Sequence, residues 1–218
     1  MTETKEIKRF ARNQTPGEEI ANAVSHGIGA AFAIAGTVIM IIYAALNSTV
    51  TGIVSASLYG ACLILLYMSS CLYHSFTGRV KKLFRVFDHC SIFILILGTY
   101  IPASLMLVGG ARGWVLLGIN VALATVGIVF NSINLERWRR YSVLLYVIMG
   151  WSIIAVSFEA LTAMPSTGLA LLIEGGIAYT VGIIFYALKR PKYLHFVWHL
   201  FVLSGSILHY FFVLYYCL

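Results

Sequence analysis

The sequence predicts an all-α integral membrane protein that crosses the bilayer seven times. Of its 218 residues, 60% are hydrophobic and only 11% are charged, and the mean hydropathy is +0.89. Soluble domains use about half apolar and about a quarter charged residues, so a soluble fold of this length could not bury so much apolar surface. The apolar residues also come in seven runs of about 20 residues or more, enough for a helix to cross a hydrocarbon core of about 30 Å.

Short polar connections separate these runs. Because lipid cannot satisfy backbone polar groups, each run is expected to form a helix. The first run starts about 20 residues into the chain and is too long for the apolar core of a cleavable signal peptide. We therefore expect a cytoplasmic N-terminal segment at residues 1–18 and a seven-helix transmembrane domain at residues 19–218. The runs cover residues 21–46, 52–76, 87–108, 114–134, 142–163, 168–188 and 194–218.

Basic residues lie on alternating sides of the predicted helices. Fourteen of the fifteen Lys and Arg residues precede the first run or lie in or beside the second, fourth and sixth connections. Arg112 is the exception and lies in the third connection. The positive-inside rule then places the N-terminus in the cytoplasm, and an odd number of crossings places the C-terminus outside. This distribution accounts for the net charge of +7 without a nucleic-acid partner.

The predicted topology places several ionisable residues in one layer near the cytoplasmic face. Five of the six histidines and Asp88 fall in this layer. His195 and His199 are four residues apart, so their imidazoles share one helix face, and the same holds for Ser70 and His74. Polar groups inside membrane helices are costly, which makes these residues the first candidates for function.

This set of residues has the chemistry of a zinc site. A catalytic zinc ion takes three protein ligands and a water, and it accepts neutral imidazole nitrogens at about 2.0–2.1 Å. His74, His195 and His199 can supply the three ligands, and Asp88 can hold an imidazole N–H or the bound water. Cys71 is a further soft ligand, although a packed thiol is the simpler expectation. The alternative is that these histidines extend towards the headgroups or cap backbone carbonyls.

The remaining histidines are expected to have supporting roles. His209 lies about 15 Å further along its helix than the histidine pair, so it cannot share the same ion. We expect it to be buried and hydrogen-bonded to a neighbouring helix. His26 has the right depth but no ligand partner at helical spacing, which favours a structural role, or one in support of a ligand, over metal binding. His89 directly follows Asp88, and the two side chains cannot both face one site on a helix.

Other polar residues lie towards the outer ends of the predicted helices. Glu159 and Glu174 either share a proton, mark an outer cavity or extend to the headgroups, and the third interpretation is the simplest. Pro102 is expected to kink the third helix, because proline removes a backbone hydrogen bond and clashes with the preceding turn.

Three segments resemble the hemolysin III family, the bacterial branch of the progestin and adipoQ receptor (PAQR) superfamily. They are SSCLYHSF with Ser70 and His74, FDHCSIFILILGTYIP with Asp88, and HFVWHLFVLSGSILHY near the C-terminus. The segment EEIANAVSHGIG also resembles this bacterial branch, including its membrane-homeostasis members. The resemblance runs from Glu18 almost to the C-terminus, with seven helices in the expected order.

The resemblance implies a zinc ion near the cytoplasmic face of a multi-pass protein of the bacterial inner membrane. Its three histidine ligands correspond to His74, His195 and His199, an aspartate close to the zinc water corresponds to Asp88, and a serine one turn away corresponds to Ser70. The superfamily includes the adiponectin receptors, linked to ceramide hydrolysis, and alkaline ceramidases. Its bacterial members are linked to cytolysis and to membrane-lipid homeostasis.

Three functions are compatible with these features. The leading hypothesis is a zinc-dependent hydrolase of an amide or ester bond in a membrane lipid, with Asp88 as general base and Ser70 hydrogen-bonded to the water or the oxyanion. The second is a membrane sensor or regulator with structural zinc. The third is a cytolytic pore, which needs a polar stripe through the whole membrane. It ranks last because the outer half of the sequence has few polar residues.

Overall fold

The structure of the protein, a computed structural model, describes residues 14–188 and 190–218. Within these residues it is all-helical and contains no strand, as the sequence predicts. Six helices are long and apolar enough to cross a membrane. The elements are α1 (Pro16–Asn47), α2 (Val50–Ser75), α3 (Gly78–Pro102), a π-helical turn (Ala103–Val108), α4 (Gly110–Val156), the short α5 (Phe158–Ala163), α6 (Ser166–Ala187) and α7 (Leu194–Tyr216).

Threonine side chains cap the N-termini of the first two helices. At the start of α1, the Thr15 side chain accepts a hydrogen bond from the Glu18 backbone, and the Glu18 carboxylate accepts one from Thr15 N. This reciprocal capping box satisfies two otherwise unpaired donors, and Pro16 fits the first helical position because it lacks an N–H. Thr49 caps α2 by accepting from Gly52 N. The capping box fixes where the first turn of α1 begins, and that turn contributes to the site described below.

The predicted distortion at Pro102 takes the form of a change of helix type. Immediately after this proline, α3 continues as the π-helical turn Ala103–Val108. The turn ends at Gly109, which has φ 65°, a left-handed conformation that glycine adopts without steric cost. Proline lacks the N–H that would bond the carbonyl four residues before it, so the backbone ladder is already interrupted where the helix type changes.

Helix α4 contains a sharp break at Asn134. This residue has extended dihedral angles, φ −159° and ψ 92°, inside a 47-residue helical segment. Its Oδ1 atom accepts a hydrogen bond from Arg137 N at 3.0 Å, so Asn134 caps the helical arm that follows it. The break falls where the fourth apolar run ends, but residues 135–141, predicted as a connection, are helical.

The helices pack so that their apolar surface faces outwards and many polar groups face inwards. Helix α1 packs on α2 and α7, α2 packs on α3, and α6 packs on α7. Large apolar side chains such as Leu46 and Val50 are 78% and 77% exposed, as expected of a surface in contact with lipid. Asn22 and His199, in contrast, are almost completely buried. A soluble protein shows the reverse arrangement. Here the polar side chains that can do chemistry are concentrated inside the bundle.

Candidate metal centre

Three histidines from two helices meet at one end of the bundle. His74 lies in the last turn of α2, and His195 and His199 lie in the first turns of α7. Their candidate ligand atoms all lie within 4.8 Å of one another. The ring centroids are 5.3 Å apart for His74 and His195, 5.1 Å for His74 and His199, and 4.7 Å for the α7 pair. We call this end of the molecule the histidine end. The grouping can hold a single metal ion.

Glu19 determines which nitrogen of His74 is free. The Nδ1 atom of His74 lies 2.7 Å from Oε2 of Glu19, so Nδ1 carries the proton and donates to the carboxylate. The Nε2 atom is buried and has no hydrogen-bond partner among the described residues. A buried acceptor without a partner costs free energy, and a metal ion would satisfy it. The donor set therefore fits a metal ion that takes neutral imidazole.

Ser25 determines the tautomer of His199 in the same way. The Ser25 hydroxyl donates its proton to the backbone carbonyl of Asn22 at 2.9 Å. Its oxygen lies 3.2 Å from Nδ1 of His199 and is left to act as an acceptor. His199 then carries its proton on Nδ1 and presents the lone pair of Nε2. Both His74 and His199 are thus prepared to bind an ion through Nε2, with their other nitrogen held by a partner.

His26 supports the centre by stacking on a ligand. Its ring lies parallel to that of His199, with centroids 3.6 Å apart and an interplanar angle of 12°. The Tyr67 ring meets His26 edge-on at 5.1 Å. His26 does not belong to the group of three candidate ligands, and its supporting role stays a prediction.

Asp88 and Ser70 lie on the two helices that the sequence assigned to the site, α3 and α2. Oδ2 of Asp88 is 3.5 Å from Nδ1 of His89, and Asp88 is not among the described side chains that form the close metal-binding group. Ser70 is 1% exposed, and its hydroxyl has no hydrogen-bond partner among the described residues. The roles of Asp88 and Ser70 towards a bound water stay predictions.

Sequence reasoning missed Glu19 and Ser25, although part of the signal was present. Glu19 and His26 are seven residues apart, which places them on one face of α1 two turns from each other. His26 was already expected at the depth of the metal site, so a carboxylate on its face was a candidate partner for an imidazole. Ser25 had no comparable signal, because its contact with His199 depends on how α1 packs against α7.

At the opposite end of the bundle, polar residues have other partners. Nε2 of His209 donates to the backbone carbonyl of Leu172 on α6 at 3.1 Å, which confirms the predicted hydrogen bond to a neighbouring helix. Glu159 forms an ion pair with Arg112, and Glu174 is exposed. The hydrogen bond from the Arg112 guanidinium holds the pKa of the Glu159 carboxyl below its usual value.

Comparison with known proteins decides the family. Residues 14–210 match the family model described as haemolysin-III related. The chain is 43% identical over 202 residues to Hemolysin-3 of Bacillus cereus, covering 92% of each chain. The chain belongs to the haemolysin-III related family. It is also 42% identical over 201 residues to the Hemolysin-3 homolog of Bacillus subtilis, covering 92% of this chain and 94% of that one.

A human protein extends the relationship of this haemolysin-III related protein to the PAQR superfamily. The chain is 25% identical over 222 residues to the monocyte to macrophage differentiation factor of Homo sapiens, covering 94% of this chain and 90% of the human one. This confirms the family resemblance seen in the sequence motifs. Together with the six long apolar helices, the bacterial relatives identify a multi-pass protein of a bacterial cell membrane.

Proposed function

We propose that this haemolysin-III related protein crosses the membrane seven times, with the N-terminus in the cytoplasm and the C-terminus outside. The break at Asn134 supports this topology, because it divides α4 into arms at residues 110–133 and 135–156. A straight helix of 47 residues would be about 70 Å long, more than twice the thickness of the hydrocarbon core, whereas each arm is long enough to cross once. The basic residues at the break then lie on the cytoplasmic side with those of the second and sixth connections.

The ion that we propose for the histidine end is zinc. Three imidazole ligands and an open fourth position are typical of catalytic zinc sites, whereas structural sites use four protein ligands. The support comes from the ring nitrogens. Glu19 holds Nδ1 of His74, and Nε2 is left buried without a partner. Neutral imidazole is a ligand that zinc accepts readily.

The function that these residues support best is hydrolysis of an amide or ester bond in a membrane lipid. The observation that carries the proposal is a group of three histidines with candidate ligand atoms within 4.8 Å of one another, inside a membrane protein. Zinc held by three imidazoles would keep a fourth position for water. When bound, zinc would lower the pKa of a water molecule and polarise the scissile carbonyl. The Ser70 hydroxyl, buried and unpaired, would donate to the oxyanion that develops on the substrate. Asp88 would accept the proton of the attacking water and return it to the leaving group.

An apolar cavity beside the site offers room for the acyl part of such a substrate. The cavity has a volume of about 100 Å³ and lies among α3, the second arm of α4, α6 and α7. Its walls include Trp198, which directly precedes His199, and Val202 one turn further along α7. A lipid that enters between the helices could place its chain here while its polar bond reaches the histidines.

The test is a screen for lipid hydrolysis by the purified full-length chain. Amide-linked and ester-linked lipids are supplied in mixed micelles, and free fatty acid is measured. We expect Asp88→Ala to lower the rate by about 10²–10⁴-fold while zinc content stays unchanged, because a general base contributes about that much. His199→Ala should abolish both activity and zinc binding. Unchanged turnover in either variant contradicts the assignment.

A structural role for zinc is the second candidate, and one observation favours it. The centre ties three helices together, because Glu19 and Ser25 of α1 contact ligands on α2 and α7. This role predicts that His199→Ala lowers thermal stability and that Asp88→Ala leaves it unchanged. It also predicts that the wild type hydrolyses no lipid. A cytolytic role is the third candidate, because the Bacillus cereus relative is named Hemolysin-3. Leakage of liposomes that continues in the presence of a chelator would favour this role.

A further inference from the structure

Half-buried basic side chains at the histidine end fall into two classes. In the ranges 14–188 and 190–218, three Lys or Arg side chains are half-buried, namely Lys81, Arg85 and Arg139. Nζ of Lys81 lies 2.8 Å from a Glu19 oxygen, and Arg85 forms an ion pair with Glu136. Arg139 has no carboxylate within ion-pair distance in the part of the chain that the structure describes. A partly desolvated charge without a counter-ion is unfavourable, so Arg139 is prepared for an anion from outside the chain.

Tyr186 holds this guanidinium in place. Nε of Arg139 donates to the Tyr186 hydroxyl at 3.1 Å, and Nη2 donates to the Tyr186 backbone carbonyl at 3.5 Å. The guanidinium carbon also lies 4.7 Å from the centre of the Tyr186 ring. An arginine has five N–H donors, so several stay available after these contacts. The interaction restrains the side chain before a ligand arrives, which lowers the entropy lost on binding.

The position of Tyr186 places this arginine beside the metal centre. The Tyr186 ring is 6.1 Å from that of His195, one of the three candidate ligands. The Tyr186 hydroxyl is also 3.4 Å from Nε2 of His89, whose neighbour is Asp88. Two acidic residues belong to neighbouring contacts: Asp88 lies next to His89, and Glu136 is paired with Arg85. Neither forms an ion pair with Arg139.

We propose that Arg139 binds the anionic oxygen group of a membrane lipid, a phosphate or a carboxylate, at the headgroup level of the histidine end. A guanidinium is planar and matches both groups with two parallel hydrogen bonds, and aromatic support of the kind that Tyr186 provides is common for arginine. The flanking Arg137 and Arg140 are exposed and raise the local positive potential.

This site would also select the substrate, an extension that rests on the proposed hydrolase function. An anion held by Arg139 would anchor the lipid next to His195, so lipids with a phosphate or carboxylate would be bound in preference to neutral ones. The effect is expected in KM rather than in kcat, because the anchored group is remote from the bond that is cleaved.

Binding is tested first, independently of any turnover. The full-length chain in detergent is mixed with phosphatidylglycerol and phosphatidylcholine, and bound lipids are counted by native mass spectrometry. We expect the wild type to prefer phosphatidylglycerol and Arg139→Gln to bind it about tenfold more weakly, equivalent to about 1.4 kcal/mol. Arg140→Gln is the matched control, since it removes the same charge from the next, exposed position. It should keep the preference.

If Arg139→Gln and Arg140→Gln lose phosphatidylglycerol binding equally, the proposal is overturned, because only the positive surface would then attract the lipid. If both variants keep wild-type binding, the proposal is overturned as well. Arg139→Lys covers the case in which Arg139→Gln does not fold, because it keeps the charge and removes the planar fork. We expect it to weaken phosphatidylglycerol binding, and full retention would contradict recognition by the guanidinium.

Two further measurements identify the source of the anion and distinguish the anion site from the proposed hydrolase function. Displacement of phosphatidylglycerol by inorganic phosphate would show that the free anion also fills the Arg139 site, and displacement by oleate would show the same for a carboxylate. If neither displaces the lipid, the site recognises the anion only as part of a phospholipid. Absence of hydrolysis with binding still lost in Arg139→Gln would refute the hydrolase and leave the anion site standing.

Discussion

Helix α7 carries histidines at its start and further along, and their surroundings differ. Near its start, His195 and His199 meet His74 with ligand atoms within 4.8 Å, and the free nitrogen of His74 has no partner among the described residues. Further along, His209 is half-buried, as His195 is, but its Nε2 already donates to the Leu172 carbonyl. Its ring packs edge-on against Tyr179, with centroids 5.4 Å apart. Burial of a histidine therefore does not define a metal site. The decisive feature is a ring nitrogen left free in a group of three.

The acidic partners at the two ends show the same contrast. Glu19 is partly buried and bridges His74 and Lys81 with its two oxygens. Glu159 is exposed and pairs with Arg112, which is also exposed. Water screens the second pair, whereas the first holds an imidazole in one tautomer. Substitutions at the two ends should therefore differ in kind as well as in size.

The largest difference between the two regions is expected in the response of the Tm to a chelator. Chelation should lower the Tm of the wild type by roughly 5–10 °C, because loss of a ligand that binds only the folded state removes its stabilisation. His199→Ala should start from a lower Tm and show no further decrease with chelator. The control is His209→Ala, in which the chelator should still act as it does in the wild type. Equal chelator responses in all three proteins would remove the distinction between the two regions.

Removal of the Glu19 carboxylate should weaken metal binding without abolishing it. In Glu19→Gln the amide cannot replace the charge that holds Nδ1 of His74, and loss of such an outer partner costs about 10–100-fold in metal affinity. Zinc affinity is measured by competition with a chelator of known strength. Glu159→Gln is the matched change at the opposite end and should leave affinity unaltered. A Glu19→Gln protein with wild-type affinity would show that the carboxylate does not position the ligand.

A methyl group at Gly175 should disturb the region around His209 alone. A Cβ atom there would lie 2.3 Å from Cδ2 of His209, so the ring must move. His209 lines the internal cavity, which gives the ring space, and we expect a loss at the low end of about 1–3 kcal/mol of unfolding free energy. Gly118→Ala has open space and should be neutral. Zinc content should not change in either variant; loss of zinc in Gly175→Ala would mean that the two ends are coupled.

The smallest effect is expected at the exposed ion pair. The pKa of Glu159 is lowered by Arg112, so any stability that it contributes is present above its unfolded pKa and lost as the pH falls through its folded pKa. Both partners are exposed, so solvent should screen this contribution to the point where it is not measurable. The Tm of Glu159→Gln should match that of the wild type at neutral and at acidic pH. A clear difference that appears only at neutral pH would contradict this view of the outer pair.

Hydropathy and spacing predict much of this molecule, because both act locally. The i,i+4 pair His195 and His199 must share a helix face, and the topology derived from charge brings His74 to the same level. A disturbance at Pro102 is likewise predicted locally, because proline lacks a backbone N–H, and the helix type changes directly after it. These features do not depend on how distant helices pack.

Two contacts between helices were not predicted. The contacts of Glu19 with His74 and of Ser25 with His199 join residues 55 and 174 positions apart. The charged segment after Asn134 was expected to be a connection, yet it is helical, because the Asn134 side chain caps a new arm at once. Arg, Leu and Glu are also good helix formers, so a charged stretch does not itself imply a loop.

The metal content of the purified full-length chain is the most direct test of whether the histidine end binds zinc. Zinc is measured by mass spectrometry after purification without chelators, in the wild type, in a His195→Ala/His199→Ala double variant and in His209→Ala. We expect about one zinc per chain in the wild type and in His209→Ala, and less than about a tenth of that in the double variant. Equal zinc in all three proteins, or a wild type without zinc, would contradict it.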